Sequence, residues 1–293
     1  HINHKPGSHN FGVDNRQQLY RFIGDVFYSA DKDFNAREIS SEDEVKTFEE
    51  LVVPLPQDNH SFNSIALGLI KDLPKPQTGS KAGQRASLLS IIKAKDYMAK
   101  AKRVGGDGAV VHFQFEIGED WTVPGTVFTP PDVKETTILI ADNGRKEQAA
   151  VVRELLDEGH RVVAVDPFFF GESKIKSRDF LHVILMHAVG ERALGVQSGQ
   201  LAAIANWAKK EFQDPVQLKS VGPRLSVAAR VAAVQTDVIS SLKLHEPMKS
   251  LKSVVRENKG ANHLPEMMCF GLLEYFDLPQ IESLIAPRSV VEE

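Results

Sequence analysis

Cysteine is nearly absent from the sequence, and long apolar stretches are missing altogether. The one cysteine, Cys269, excludes an intrachain disulfide and any cysteine-rich metal site. Secreted bacterial proteins also do without disulfides, so the compartment stays open, and a secreted or periplasmic location is compatible with this composition. No run of about 18 apolar residues occurs, so the sequence predicts no membrane-spanning helix and no membrane partner.

An excess of charge of either sign is missing too. The net charge is −4, from 35 basic and 39 acidic residues, and the chain therefore lacks the basic field that binding to nucleic acid requires. No acidic run indicates a disordered tail. At 293 residues and 42% hydrophobic, the chain is long enough to bury one large core or two smaller ones.

The first part of the chain contains one strong helical pattern. Apolar residues recur at spacings of three and four over residues 15–27, which predicts an amphipathic helix. Residues 28–78 contain SSEDEV, VVPLPQDN and LPKPQTG, and this acidic, proline-rich composition is typical of a linker. The sequence thus predicts a domain boundary near Gly79.

The region after this boundary changes from a helical to a strand pattern. Residues 80–103 are rich in Ala, Leu, Ile and Lys, which predicts a basic helix that Gly105 and Gly106 would end. Two β-branched and aromatic runs follow, over residues 110–117 and 121–130. A Gly-Glu-Asp turn separates them, so they are predicted to pair as antiparallel strands.

Strands and helices then alternate to the end of the chain. Apolar runs predict strands at 136–141, 161–166, 216–222 and 238–244 and one near 287, and helical patterns predict helices at 148–159, 197–212 and 225–234. A parallel crossover needs a connection of helix length. The predicted fold class is therefore α/β, a mostly parallel sheet with helices on both faces.

Ligands of such open sheets gather at the carboxyl ends of the strands. The loop at Asp142, Asn143, Gly144 and Arg145 lacks the Gly-x-Gly-x-x-Gly pattern of a dinucleotide cradle, so no cofactor is predicted. His182 and His187 are five residues apart, about 140° around a helix. They do not share a face, and no metal site is predicted.

Three stretches resemble one superfamily. VVAVDPFFFGES and GLLEYFDLPQIESLIAPRSV are similar to segments of α/β-hydrolases of the acetyl xylan esterase-like and dienelactone hydrolase-like branch, and GSHNFGVDNRQQLYRF is similar to the end of such a domain. The resemblance implies a fragment of a tandem protein. Residues 1–27 would end an upstream hydrolase unit, 28–78 would link the units, and 79–293 would form a second hydrolase-like unit that is incomplete at its C-terminus.

Catalysis in such a domain needs a serine on a tight elbow, a histidine, a carboxylate and backbone N–H groups for the oxyanion. The pattern Gly-x-Ser-x-Gly, set on VGPRLSVAARVAAV, puts Arg224 at the nucleophile position. A protonated guanidinium has no lone pair with which to attack a carbonyl. Ser226 is a weak alternative because it would lie inside the helix. By resemblance, Asp142 and Asn143 stand near the oxyanion loop, and a polar turn with no catalytic role is the alternative.

His9 is the one candidate for a catalytic role outside the second unit. It lies in a Gly-Ser-His-Asn loop directly before the amphipathic helix, a setting in which the resemblance implies the general base of the upstream unit. An ordinary loop histidine is the alternative. The second unit's own histidine would lie beyond Glu293, and we expect this unit to be degenerate.

Two functions of different class follow from these residues. In the first, the whole protein is a carboxylic-ester hydrolase that acts on acetylated polysaccharide or a small ester, and the upstream unit does the chemistry. In the second, the hydrolase-like unit is a non-catalytic binding or scaffolding module. Hydrolysis by the isolated chain would favour a catalytic second unit, whereas glycan affinity without hydrolysis would favour the module.

Overall fold

In a computed structural model, which describes residues 9–293, the chain divides into one unit that ends at Asn59 and a second unit, His60–Glu293. The first unit contains helix α1 (Val13–Phe27) and the short helix α2 (Phe48–Leu51). The apolar spacing had predicted α1. The ring of Phe34 packs on Gly24, where a Cβ would lie 2.5 Å from that ring, so the loop after α1 folds directly against the helix.

The second unit is built around one eight-stranded sheet. Its strands are β1 (Ala99–Asp107), β2 (Val110–Ile117), β3 (Trp121–Phe128), β4 (Glu135–Ala141), β5 (His160–Val165), β6 (Val216–Val221), β7 (Ile239–His245) and β8 (Ser289–Glu292). Their order across the sheet is β1-β2-β3-β5-β4-β6-β7-β8. The first three strands form an antiparallel meander, because only short turns connect them.

The remaining strands pair as predicted. β4 lies between β5 and β6 and is parallel to both, with Thr137 opposite Val162 on one side and Gln217 on the other. β7 is parallel to β6, and β8 is parallel to β7. β3 pairs with β5 in the antiparallel direction and so connects the meander to the parallel strands. The predicted α/β class, with a mostly parallel sheet, is confirmed.

The helices of the second unit are α3 (Phe62–Leu69), α4 (Lys81–Ile91), α5 (Ala149–Asp157), α6 (Asp179–Ala188), α7 (Ala193–Phe212), α8 (Pro223–Gln235), α9 (Lys252–Arg256), α10 (Leu272–Tyr275) and α11 (Leu278–Ile285). They cover both faces of the sheet. On one face, α5 buries Val152 and Leu155 against Leu139 and Val162. The other face carries the larger core, to which α4, α7, α8 and α11 contribute.

The predicted helix over residues 80–103 is wrong in its second half. α4 ends at Ile91, Lys93 has a positive φ of 56°, and β1 begins at Ala99. The run Ala-Lys-Ala-Lys from Ala99 alternates with the period of two that a strand requires, and the high helix propensity of Ala and Lys hid this alternation. Gly105 and Gly106 lie within β1, where the register with β2 shifts.

The described residues contain no helix that is long and apolar enough to cross a membrane. Within 9–293 there is also no group of three or more His, Cys, Asp or Glu side chains arranged to hold a metal ion. His182 and His187 both lie on α6, where His182 is near the ring of Phe168 and His187 is near the ring of Phe270. Burial lowers the pKa of His187.

Candidate functional site

The turn between β6 and α8 lies at the carboxyl edge of the parallel strands. β6 ends at Val221, Gly222 takes a positive φ of 101°, and α8 begins at Pro223. Proline is favoured in the first turn of a helix, because the N–H groups of that turn have no carbonyl partner within the helix and proline lacks an N–H group. Gly222 meets two demands, since its φ favours glycine and a Cβ there would lie 2.6 Å from the Asp142 carboxyl carbon.

Asp142 follows β4, the neighbour of β6, and its carboxylate reaches across to the start of α8. Oδ2 accepts the backbone N–H of Arg224 at 2.9 Å, and Oδ1 accepts that of Leu225 at 2.8 Å. These are two of the free N–H groups at a helix N-terminus, where a negative charge is favourable. Burial raises the pKa of Asp142, although both backbone hydrogen bonds act to lower it.

The side chain of Arg224 forms an ion pair with Glu266. Nε donates to Oε1 at 2.5 Å and Nη2 donates to Oε2 at 2.6 Å, a two-pronged geometry that matches guanidinium to carboxylate. The Glu266 side chain is fully buried, whereas that of Arg224 is 26% exposed. The guanidinium carbon also lies 4.7 Å from the centre of the Phe170 ring. Burial lowers the pKa of Arg224, but the hydrogen bonds to Glu266 and the negative charges of Glu266, Asp142 and Asp179 together outweigh this, so its pKa is raised.

Ser226 lies on α8, two residues after Arg224, and is fully buried. Its Oγ donates to the Pro223 carbonyl at 2.6 Å and accepts the Met248 N–H at 3.1 Å. The hydroxyl proton is thus committed to the backbone of its own helix, and the oxygen fixes the loop after β7. This geometry gives Ser226 a structural task, and no histidine contacts it among the described residues.

The loop that carries Asp142 is held by the loop after β5. Asp166, which is 1% exposed, accepts the backbone N–H of Arg145 at 2.8 Å and that of Glu172 at 3.1 Å, and it forms an ion pair with the Arg145 side chain. The two loops touch where a Cβ on Gly144 would lie 2.7 Å from Gly171 Cα. These contacts fix the backbone from which Asp142 extends.

The structure brings together some of the residues singled out from the sequence. Asp142 contacts the backbone of Arg224, whereas Asn143 is exposed and accepts a hydrogen bond from the Gln148 amide at 2.7 Å. His9 is exposed and belongs to the first unit. Sequence reasoning missed Glu266, for which the one available clue is a single carboxylate in the otherwise uncharged stretch LPEMMCF.

A cavity of about 450 Å³ opens beside Pro223 and Arg224, with Lys249 and Ser253 on its walls. A ligand here would meet the Arg224 guanidinium, at the position that the elbow pattern of the sequence assigns to a nucleophile. The N–H of Leu225, the residue after the nucleophile position, would serve as an oxyanion donor in such an enzyme. In this chain that donor is already bonded to the Asp142 carboxylate.

No protein-family model matches the sequence, and no curated protein matches it either. Solved structures do match. A protein assigned as an acetyl xylan esterase from Bacteroides fragilis aligns over 82% of this chain and 77% of its own, with a TM-score of 0.61 and 14% identity. A glucuronoyl esterase from Solibacter usitatus aligns over 74% and 76%, with a TM-score of 0.51 and 14% identity.

Acetyl xylan esterase 1 from a Thermoanaerobacterium species aligns over 77% of this chain and 82% of its own, with a TM-score of 0.51 and 13% identity. Identities this low demonstrate a shared fold and leave the chemistry to the residues of the site. The order of the strands in the sheet and the turn at Gly222 are consistent with the fold of these structural neighbours. The chain has the α/β-hydrolase fold, as these carboxylic esterases do.

Proposed function

We propose that the second unit is a non-catalytic unit of α/β-hydrolase fold, carried by a longer protein that hydrolyses carboxylic esters. The observation behind this proposal is the Asp142 carboxylate, which accepts the N–H groups of both Arg224 and Leu225. An ester carbonyl at the same position would develop negative charge next to an existing carboxylate. That charge would be repelled at the point where an esterase stabilises it.

The magnitude of this loss is large. Removal of one oxyanion donor from a serine hydrolase costs a factor of about 10²–10³ in kcat. Here the Leu225 donor is occupied, and the elbow carries a guanidinium in place of a hydroxyl. The ion pair with Glu266 keeps that guanidinium charged, so it offers neither a nucleophile nor a base.

The first unit supports the other half of the proposal, an upstream hydrolase for which His9 is the general base. Three residues of the apolar stripe of α1 are exposed, Leu19 at 51%, Phe22 at 57% and Val26 at 53%, whereas Ile23 is half-buried. A helix with such a stripe is stabilised mainly by packing against a larger body. An upstream hydrolase domain would supply that body and would hold His9 beside its own nucleophile.

The substrate class of the proposed parent protein is acetylated polysaccharide or a small ester. The names of the structural neighbours, two of which are described as acetyl xylan esterases, favour this class.

Labelling with a fluorophosphonate probe tests the proposal for the second unit. Such a probe reacts with any serine that a base has activated, whatever acyl group the enzyme prefers. We expect no labelling of the chain, and no labelling of Arg224→Ser, because the new hydroxyl would lack a base. Labelling that Ser226→Ala abolishes, and that the matched variant Ser220→Ala retains, would contradict the proposal.

A further inference from the structure

A cavity of about 440 Å³ lies between α5 and the antiparallel strands β2 and β3. This volume is within the range of about 300–1,000 Å³ that small-molecule sites occupy. α5 covers β4 and β5 on this face of the sheet, and the cavity continues over the neighbouring strands. Neither Gly222 nor Arg224 lines it, and α8 packs in the core on the opposite face. The cavity is therefore separate from the site at the elbow.

The floor of the cavity is one face of the sheet. The strand register places Ala164 of β5 opposite Thr126 of β3, and Thr126 opposite His112 of β2, so these three side chains share that face. Nδ1 of His112 lies 3.0 Å from Oγ1 of Thr126, and this hydrogen bond holds the imidazole in place. Phe128 is half-buried and adds an aromatic ring to the lining. The floor is thus apolar towards β5 and polar at its outer edge.

The side wall of the cavity is one stripe of α5. Ala149, Val152, Arg153 and Leu156 all line the cavity, and their spacings of three and four residues place them on one face of the helix. Val152 is buried and Leu156 is half-buried. At the rise of an α-helix, the stripe is about 10 Å long. The cavity therefore has an elongated apolar wall with one cation in it.

The charged groups that line the cavity are all cations. They are Arg145, Lys146 and Arg153, and no acidic side chain of the described residues lines it. Arg145 and Lys146 both pair with Glu172, which lies outside the lining. Arg153 is exposed, and within residues 9–293 no carboxylate pairs with it. Its guanidinium is therefore available to an anion that enters the cavity.

We propose that this cavity binds an aliphatic carboxylate, a molecule with one alkyl chain and one negative charge. The alkyl chain would lie against Phe128, Val152 and Leu156 and would leave water in doing so. The carboxylate would accept hydrogen bonds from Arg153, because a guanidinium presents two parallel donors that match two carboxylate oxygens. The inference does not depend on the proposed function, which concerns the elbow alone.

Calorimetric titration with octanoate at low ionic strength tests this inference. We expect a dissociation constant of about 1 mM or lower, and an affinity that rises by about two- to fourfold per CH₂ group from butanoate to octanoate. Octylammonium, which has the same chain length and the opposite charge, should bind at least about tenfold more weakly. Absence of octanoate binding would overturn the inference, and so would equal affinity for octanoate and octylammonium.

The charge on Arg153 is tested by Arg153→Gln, which keeps a polar side chain on the exposed face of α5. Because ion pairs of exposed groups are weak, we expect octanoate to bind about three- to fivefold less tightly to this variant. The affinity for octylammonium should not fall. An unchanged affinity for octanoate in Arg153→Gln would overturn the assignment of the carboxylate to this residue.

Two neighbouring alanines supply a matched control for the position of the ligand. Ala149 and Ala150 are both exposed in the first turn of α5, but only Ala149 lines the cavity. Ala149→Phe should place a ring in the cavity and abolish octanoate binding, whereas Ala150→Phe should retain it. Binding that survives in Ala149→Phe, or that Ala150→Phe also abolishes, would contradict the inference. Octanoate contains no ester, so ester hydrolysis by the chain would refute the proposed function and leave this result unaffected.

Discussion

Loss of the Arg224 guanidinium should destabilise the second unit more than loss of its partner's charge. In Arg224→Met, the Glu266 carboxylate, whose side chain is fully buried, loses the guanidinium that pairs with it. An uncompensated buried charge costs about 3–5 kcal/mol in free energy of unfolding. Methionine retains an apolar contact with Phe170, so most of the cost comes from the stranded carboxylate.

In Glu266→Gln the stranded group is the Arg224 guanidinium, and its side chain is 26% exposed and still reaches water. The amide oxygen of the new side chain can also accept one of the two hydrogen bonds. We therefore expect a smaller cost, about 1–3 kcal/mol. The double variant contains no unpaired charge, and its cost should be lower than that of Arg224→Met alone, with a coupling free energy of at least about 2 kcal/mol.

Urea unfolding followed by tryptophan fluorescence measures these values, because Trp121 and Trp207 both belong to the second unit and report on it alone. A free energy of unfolding for Arg224→Met within about 0.5 kcal/mol of the wild-type value would refute the reasoning. Additive effects of the two substitutions in the double variant would refute it too. Either result would mean that the arginine is not a structural replacement for the nucleophile.

Three further predictions concern other parts of the chain. Gly222→Ala should cost about 2 kcal/mol or more, since its φ is 101° and its Cβ would meet Asp142, whereas Gly68→Ala, in open space on α3, should stabilise by up to about 1 kcal/mol in thermal unfolding. Burial raises the pKa of the Cys269 thiol to about 12, so at pH 8 the folded chain should react with Ellman's reagent roughly 10³-fold more slowly than a free cysteine; equal rates folded and unfolded would contradict this. In the longer protein, His9→Ala should lower kcat on acetyl esters by about 10³-fold or more, while the exposed control His60→Ala keeps kcat; retained activity in the first variant would reject the tandem proposal.

Elements with strong local patterns could be predicted from the sequence. β4 and β5 are apolar runs of strand length bounded by polar residues, and their burial on both faces leaves few alternatives to a parallel core strand. β1 was missed because lysine and alanine favour a helix locally, while pairing with β2 decides the outcome. Tertiary pairing overrode propensity at this one strand.

The candidate site was only partly predictable. The prediction that Arg224 stands at the nucleophile position could be made from the sequence because the elbow pattern specifies one position for the nucleophile. Its partner Glu266 lies 42 residues away, and no local pattern specifies that contact. The two hydrogen bonds of Asp142 to the start of α8 also depend on adjacent strands that are far apart in sequence.

The central claim is that the second unit cannot cleave an ester, and the direct measurement is the rate at which the purified chain hydrolyses p-nitrophenyl acetate. We predict a rate equal to that of buffer for the wild type and for Arg224→Ser, because the oxyanion donor at Leu225 is occupied by Asp142 in both. Saturable hydrolysis that disappears in Ser226→Ala and persists in Ser220→Ala would contradict the account.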